Sequence, residues 1–254
     1  MFFDSHAHLD DRRFDGDRTQ ILEDLKNHGV GLVMNVGCDL TSSLASIRLA
    51  KTYPFLYAAV GSHPDDAEAV NDNLIAMYRQ LAQEEKVKAI GEIGLDYHYE
   101  DPPRAVQLPA FRAQLALARE LDMPVVVHER EAHADAMELV REFSDVHGVF
   151  HCYSGSLEQA KELVRRGWYI GFTGVITFKN ARKAVEVAQW MPLDRILIET
   201  DCPYMAPEPW RGRRNDSRYV PLVAAKLAEL RGIEPEEMGR ITAENAKRLF
   251  RLNG

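Results

Sequence analysis

Phe2-Phe3-Asp4-Ser5-His6-Ala7-His8-Leu9-Asp10 is the stretch on which the fold class turns. Its short apolar start has the signature of a buried strand. An open doubly wound sheet, the alternative for a chain that alternates strands and helices, usually places a glycine-rich phosphate turn after its first strand. Here the first strand runs into His-Ala-His. A spacing of two puts His6 and His8 on one face of a strand, and two converging imidazoles suit a divalent cation. Taken alone, the pair could equally be two histidines hydrogen-bonded to each other.

The same unit recurs along the chain: a short, β-branched apolar run, a polar elbow, then a longer stretch of helical periodicity. The apolar runs are Phe2–Asp4, Leu32–Val36, Tyr57–Val60, Val87–Ile90, Val125–Val127, Val149–Phe150, Trp168–Phe172 and Ile196–Ile198. Between them, Ile21, Leu22 and Leu25 predict a helix ending at Gly29. Leu74, Met77, Tyr78 and Leu81 share a helical face, as do Leu108, Phe111, Leu115, Ala118 and Leu121. Ser156 with Gln159 has the form of a capping box, with Gly167 as the stop; Asn180 is placed to cap the next helix. Val220 to Leu230 predict a late helix before Gly232, and Thr242 to Arg251 a terminal one. Eight strands alternating with helices imply a parallel sheet with right-handed crossovers. In 254 residues that number favours an α/β fold of the TIM-type (β/α)8 barrel, as one domain over residues 1–254.

In such a barrel the chemistry lies at the C-terminal ends of the strands. Five of the nine histidines follow that rule. His6 and His8 end strand 1, His63 follows strand 3, His128 ends strand 5 and His151 ends strand 6. Glu92 ends strand 4 and Asp201 ends strand 8. With these partners, the reading of His6 and His8 as a mere hydrogen-bonded pair loses ground to a metal centre. Glu92 lies in Gly91-Glu92-Ile93-Gly94, where glycines permit close backbone approach, and its two oxygens could serve two cations. Asp201 is placed to meet both metal and water. Glu199, two residues deeper on the same face, either orients a histidine from behind or forms a buried ion pair. His63, in Gly61-Ser62-His63-Pro64, is either a holder of substrate phosphate or a turn histidine without a role. Cys152 and Cys202 read as small apolar fillers.

Composition narrows the function. The chain is 46% hydrophobic and 28% charged, ordinary for a soluble globular protein, and three scattered cysteines argue for a reducing, cytoplasmic compartment. No apolar run reaches membrane-spanning length and no signal segment opens the chain, so neither a membrane nor an obligate protein partner is expected. A formal charge of −8 excludes binding of nucleic acid by overall charge. Recognition of an anion must then be local. Arg211, Arg213, Arg214 and Arg218 cluster after strand 8, and Lys179, Arg182 and Lys183 after strand 7, with Trp210, Tyr204 and Phe178 among them as stacking or lid residues.

Taken together, D-S-H-A-H-L-D at 4–10, G-S-H-P at 61–64, G-E-I-G-L-D-Y at 91–97, V-H-E-R at 127–130, H-C-Y-S-G-S at 151–156, E-T-D-C-P-Y at 199–204 and R-G-R-R-N at 211–215 give the chain its resemblance. It resembles the TatD family of metal-dependent deoxyribonucleases, within the wider amidohydrolase-like barrels. The resemblance implies one to three divalent cations: two, or a third besides, of Mg²⁺, Mn²⁺ or Zn²⁺. His6, His8, Glu92 and Asp201 match the positions that bind the first, and Glu92, His128 and His151 those of the second, with Glu92 bridging. His63 matches a position associated with the scissile phosphate. Glu129 and Arg213 depart from the family's usual Ser or Ala and Lys. The expected reaction is metal-assisted hydrolysis of DNA, 3′→5′ on single strands, with Asp201 orienting or deprotonating water and His63, Arg211, Arg213 and Arg214 holding phosphate. The alternative on the same centre is ester hydrolysis of a D-aminoacyl-tRNA.

Overall fold

In the computed structural model, which describes residues 1–252, eight parallel strands pair in sequence order. They are β1 (Phe2–Ala7), β2 (Val30–Val36), β3 (Leu56–Val60), β4 (Val87–Asp96), β5 (Val125–Arg130), β6 (Gly148–Phe150), β7 (Tyr169–Phe172) and β8 (Ile196–Ile198). The helices between and after them are α1 (Arg18–Asp24), α2 (Leu40–Thr52), α3 (Asp72–Leu81), α4 (Arg104–Glu120), α5 (His133–Glu142), α6 (Leu157–Arg165), α7 (Arg182–Trp190), α8 (Val220–Arg231) and α9 (Pro235–Leu249). The last strand returns to the first. The Ser5 hydroxyl donates to the Ile198 carbonyl at 3.0 Å, Asp201 N–H to the His6 carbonyl at 2.9 Å, and His8 N–H to the Cys202 carbonyl at 2.9 Å. This is the TIM-type barrel. The last two residues of the expected 1–254 domain lie outside the described residues.

Alternation along each strand separates two apolar layers. Val125 and Val127 face the helices, while Val126 faces the barrel interior with Phe3, Met34, Ala59, Ala89, Val149 and Leu197. Ala243, Ala246 and Leu249 of α9, with Phe250, pack on that interior set and cover the N-terminal end of the barrel. With that end filled by apolar side chains, polar groups collect at the other.

Two strands break the alternation. The β1 pairing shifts register between Asp4 and Ala7, and the β4 pairing between Ile90 and Ile93. An extra residue at such a bulge reverses which face the following residues occupy. Phe3 and His6, three apart, therefore both face inward, and so do Ala89 and Glu92. The predicted strand 4, ending at Ile90, is corrected here: β4 runs on to Asp96, and Glu92 lies within it. Glycine permits the crowding. A Cβ at Gly91 would press on Val126, and one at Gly94 would collide with the His128 carbonyl, so β4 and β5 can approach where Glu92 and His128 meet.

Local signals held where side chains satisfied the backbone directly. Ser156 and Gln159 form the expected capping box, and Gly29 and Gly232 close their helices in the left-handed region, at φ 74° and 66°. Other expectations are corrected. Asn180 does not cap α7; Ala181 holds that position, without a side-chain cap. The terminal helix starts at Pro235 rather than Thr242, because proline suits a first helical turn whose N–H groups lack partners anyway. Met77 turns to solvent, while Tyr78 is fully buried and donates to the Gly61 carbonyl at 2.9 Å. No described helix is long and apolar enough to cross a membrane.

Candidate metal centre

The barrel brings six of the predicted residues to one place. On one side, His6 Nε2 and His8 Nε2 are 3.0 Å apart. Glu92 Oε2 lies 3.4 Å from the first and 3.5 Å from the second, and Asp201 Oδ1 3.7 and 3.4 Å from them. On the other side, Glu92 Oε1 lies 3.0 Å from His128 Nδ1 and 2.8 Å from His151 Nε2, which are 3.2 Å from each other. His63 joins this second group, its Nε2 3.8 Å from Glu92 Oε1. A cation bound at about 2.0–2.2 Å to each donor sets neighbouring donors roughly 3–3.5 Å apart, so both groups fit one ion each. The donors are nitrogen and oxygen, the set expected for Zn²⁺, Mn²⁺ or Mg²⁺ chemistry.

Two of the remaining ring nitrogens are turned away and held, while His6 Nδ1 and His151 Nδ1 are buried without a hydrogen-bond partner. His8 Nδ1 lies 2.8 Å from the Val36 carbonyl, and His128 Nε2 3.1 Å from Asp96 Oδ2. Each contact fixes which nitrogen carries the proton and leaves the other's lone pair facing the centre. Asp96, in the motif at 91–97, is a site residue beyond those that the sequence predicts. Its spacing of four from Glu92 on one strand was the available signal. His6 and His151 stack with ring centroids 3.9 Å apart, above a fully buried Glu199. Glu199 Oε1 accepts from Cys152 N–H at 2.5 Å and lies 3.6 Å from His151 Nδ1. Ser5 Oγ donates to Glu199 Oε2 at 3.4 Å. A Cβ at Gly171 would strike the Glu199 carboxylate. Glu199→Gln, and Gly171→Ala, which displaces the same carboxylate, are expected to weaken cation binding by roughly 10–100-fold, the usual cost of losing such an outer partner. Calorimetric titration with Mn²⁺ checks this.

The electrostatics are those of a site built for positive charge. Burial alone would raise the Glu92 carboxyl. The charges of His151 and His6 and the hydrogen bonds from His128 and His151 outweigh that and hold it well below the usual range. Asp201 is likewise lowered despite its burial, by His8 first and then by the charges of His151 and His6. Burial opposes charge on His151, His8 and His128, but Glu92 and Glu199 raise the first, Cys38, Asp201 and Glu92 the second, and Asp96 and Glu92 the third, the first two well above 6.5. His6 is lowered, by burial and by His151. An entering cation must displace protons from the raised imidazoles. Apparent metal affinity is therefore expected to climb as pH rises through and above 6.5, with protons released on binding. Titrations in two buffers of different ionisation heat count those protons.

Other predicted residues are placed elsewhere. Arg211 stacks over Phe178 with its guanidinium carbon 4.2 Å from the ring centroid, and Arg213 over Trp210 at 5.1 Å. Both are exposed. Arg214 departs from expectation: its guanidinium is given to Asp17, at 2.5 and 2.9 Å, and to the Arg13 carbonyl. Arg218 pairs with Asp216 and Asp24. Glu129 accepts from Ala132 N–H at 2.8 Å and contacts His133, so its charge serves the first turn of α5. Cys38, which the sequence did not single out, has its sulfur 3.6 Å from both His8 Nδ1 and Glu92 Oε2. Burial pushes its thiol to about 11 and that of Cys152 to about 12, so neither is a thiolate ligand by default.

Comparison with known proteins adds to this geometry. The family profile described as TatD related DNase matches residues 3–251. The chain is 43% identical, over the full length of both, to a metal-dependent hydrolase named YabD of Bacillus subtilis. It is 36% identical to a protein of Cronobacter sakazakii named 3′-5′ ssDNA/RNA exonuclease TatD, covering 99% of this chain and 98% of that one. Among solved structures, YjjV of Escherichia coli K12, described as a TatD homologue, superposes with a TM-score of 0.93 at 33% identity, covering 99% and 98% of the two chains.

Proposed function

The chain belongs to the TatD-related DNase family of metal-dependent hydrolases, and from that premise we propose that it is a single domain over residues 1–254 that hydrolyses phosphodiester bonds of single-stranded DNA, removing nucleotides 3′→5′. One observation carries the reading. Two groups of imidazoles meet the two oxygens of one carboxylate, Glu92, in a buried site. His6, His8, Glu92 and Asp201 would hold one divalent cation, and Glu92, His128 and His151 a second. Bound there, such cations supply Lewis-acid stabilisation of phosphate oxygens and a lowered pKa for water.

The chain's own residues do the rest. Asp201, ionised and at the rim of the cluster, takes the proton of the attacking water. His63 stands at the edge of the second group, with Nδ1 accepting from Asp65 N–H at 3.2 Å, so Nε2 can carry the proton and donate to a phosphate oxygen. Exposed Arg211 and Arg213, held over the rings of Phe178 and Trp210, guide the strand by charge. Arg214 serves mainly to tie its loop to Asp17. The unpaired thiols suit a reducing, cytoplasmic compartment.

The relative named as an ssDNA/RNA exonuclease supports the choice of a nucleic acid. The test incubates 3′- and 5′-labelled single strands of DNA and RNA with Mg²⁺ or Mn²⁺. Mononucleotides released from the 3′ end, and lost on chelation, are expected. Amino acid released from charged tRNA without nucleotides from DNA would replace the nuclease with an esterase.

A further inference from the structure

One cleft opens directly beside the second group of donors. It measures about 670 Å³ and is bounded on one side by His128, His151 and Asp201. Its other walls differ in character. Phe172 and Ile176 are buried, Val175 is half-buried, and Met205 overhangs with 42% exposure. Arg182 and Lys183, both exposed on the first turn of α7, stand at the rim, and that turn contains no acidic residue. The cleft is thus apolar within, cationic at its edge and reactive at one end. A pocket of this kind takes a flat or compact apolar group whose polar atoms lie at fixed points.

We propose that this cleft is the binding site for the 3′-terminal nucleoside of the strand, with the base against Phe172, Val175, Ile176 and Met205 and the rim cations facing the acceptor atoms of its edge. The proposal rests on the nuclease reading above and adds the residues that decide which end of the substrate enters. A nucleoside seated here carries its 5′-phosphate toward His128, His151 and Asp201. Hydrolysis then leaves a 5′-mononucleotide in the cleft and frees the 3′-oxygen of the preceding residue. A base can reach these walls only after leaving its stack and its partner, so the same cleft favours single strands over duplex. The arginines after β8 have other neighbours, and Arg130, which also lines the cleft, lies 4.0 Å from Asp96 Oδ2 and over the Tyr99 ring, so Arg182 and Lys183 are the cations assigned to the base.

The experiment compares two diesters with one leaving group, thymidine 5′-(p-nitrophenyl phosphate) and methyl p-nitrophenyl phosphate. In both, water adds to phosphorus, the bond to p-nitrophenolate breaks, and the proton passes to the base. Only the first offers a nucleoside. The wild type should favour it in kcat/KM by roughly ten- to a hundred-fold, the range of one stacked base. Val175→Trp, which fills the cleft, should abolish most of that preference through KM and leave the methyl diester within about twofold. Binding of thymidine 5′-monophosphate should weaken in parallel. Met205→Ala and the double variant Arg182→Ala/Lys183→Ala should each cost a smaller, several-fold share. These two, on exposed positions, decide the matter if Val175→Trp also loses the methyl diester through misfolding. Preference and nucleotide binding unchanged in these variants would overturn the proposal. If the wild type releases nothing from oligonucleotides, the nuclease reading fails separately, and thymidine 5′-monophosphate binding alone judges the cleft.

Discussion

Glu92→Gln is expected to empty both cation sites at once. The substitution keeps the side chain's size but removes the charge whose two oxygens face His6 and His8 on one side and His128 and His151 on the other. Loss of an outer partner costs roughly 10–100-fold in affinity, so loss of this shared donor should exceed about a hundred-fold for each ion. Nucleotide release should fall below detection, and added Mn²⁺ should restore little of it. The change also removes the negative charge that raises His151 and His128. The metal-free variant should therefore bind fewer protons at neutral pH than the metal-free wild type. Calorimetry for metal, a turnover assay and a thermal melt separate these effects. Turnover that persists in Glu92→Gln after chelation would sink the two-cation reading.

The second large effect falls on Asp201. Its Oδ1 contacts only the His6 and His8 side of the cluster, so Asp201→Asn should spare the cation held by Glu92, His128 and His151. Affinity should drop at one site of two, and turnover by roughly 10²–10⁴-fold, the span typical of a lost general base. Its backbone sits at φ 55°, in the left-handed region that Asn also tolerates, so the substitution preserves the turn. Two metal sites titrating as in the wild type, with normal turnover, would exclude Asp201 from both roles. Loss of both sites together would mean that the two groups of donors are not separable.

The chemistry was legible early because a strand imposes a period of two. His6 and His8 must share a face, and a barrel must present strand ends together, so His128, His151, Glu92 and Asp201 could be collected by position alone. Asp96 was legible by the same rule, four residues beyond Glu92. The arginines were not. Sequence places Arg214 beside Arg213 and Arg211, and only the packing of the β8 loop on α1 gives its guanidinium to Asp17.

Residue type and spacing by themselves determined the barrel, the polar character of one end and which side chains gather there. Tertiary structure decided which donors face which oxygen of Glu92. Strict alternation from Ala89 would have turned that carboxylate toward the helices, and from Phe3 would have done the same to His6 and His8. The register shifts in β1 and β4 reverse both, and they depend on how each strand pairs with its neighbour. Tertiary structure also made the cleft. Phe172, Val175 and Ile176 sit at and just beyond the end of β7, Arg182 opens α7 and Met205 follows β8, and no local pattern relates the three places. They become one surface only because β7, β8 and α7 converge at the open end of a barrel whose other end is already filled.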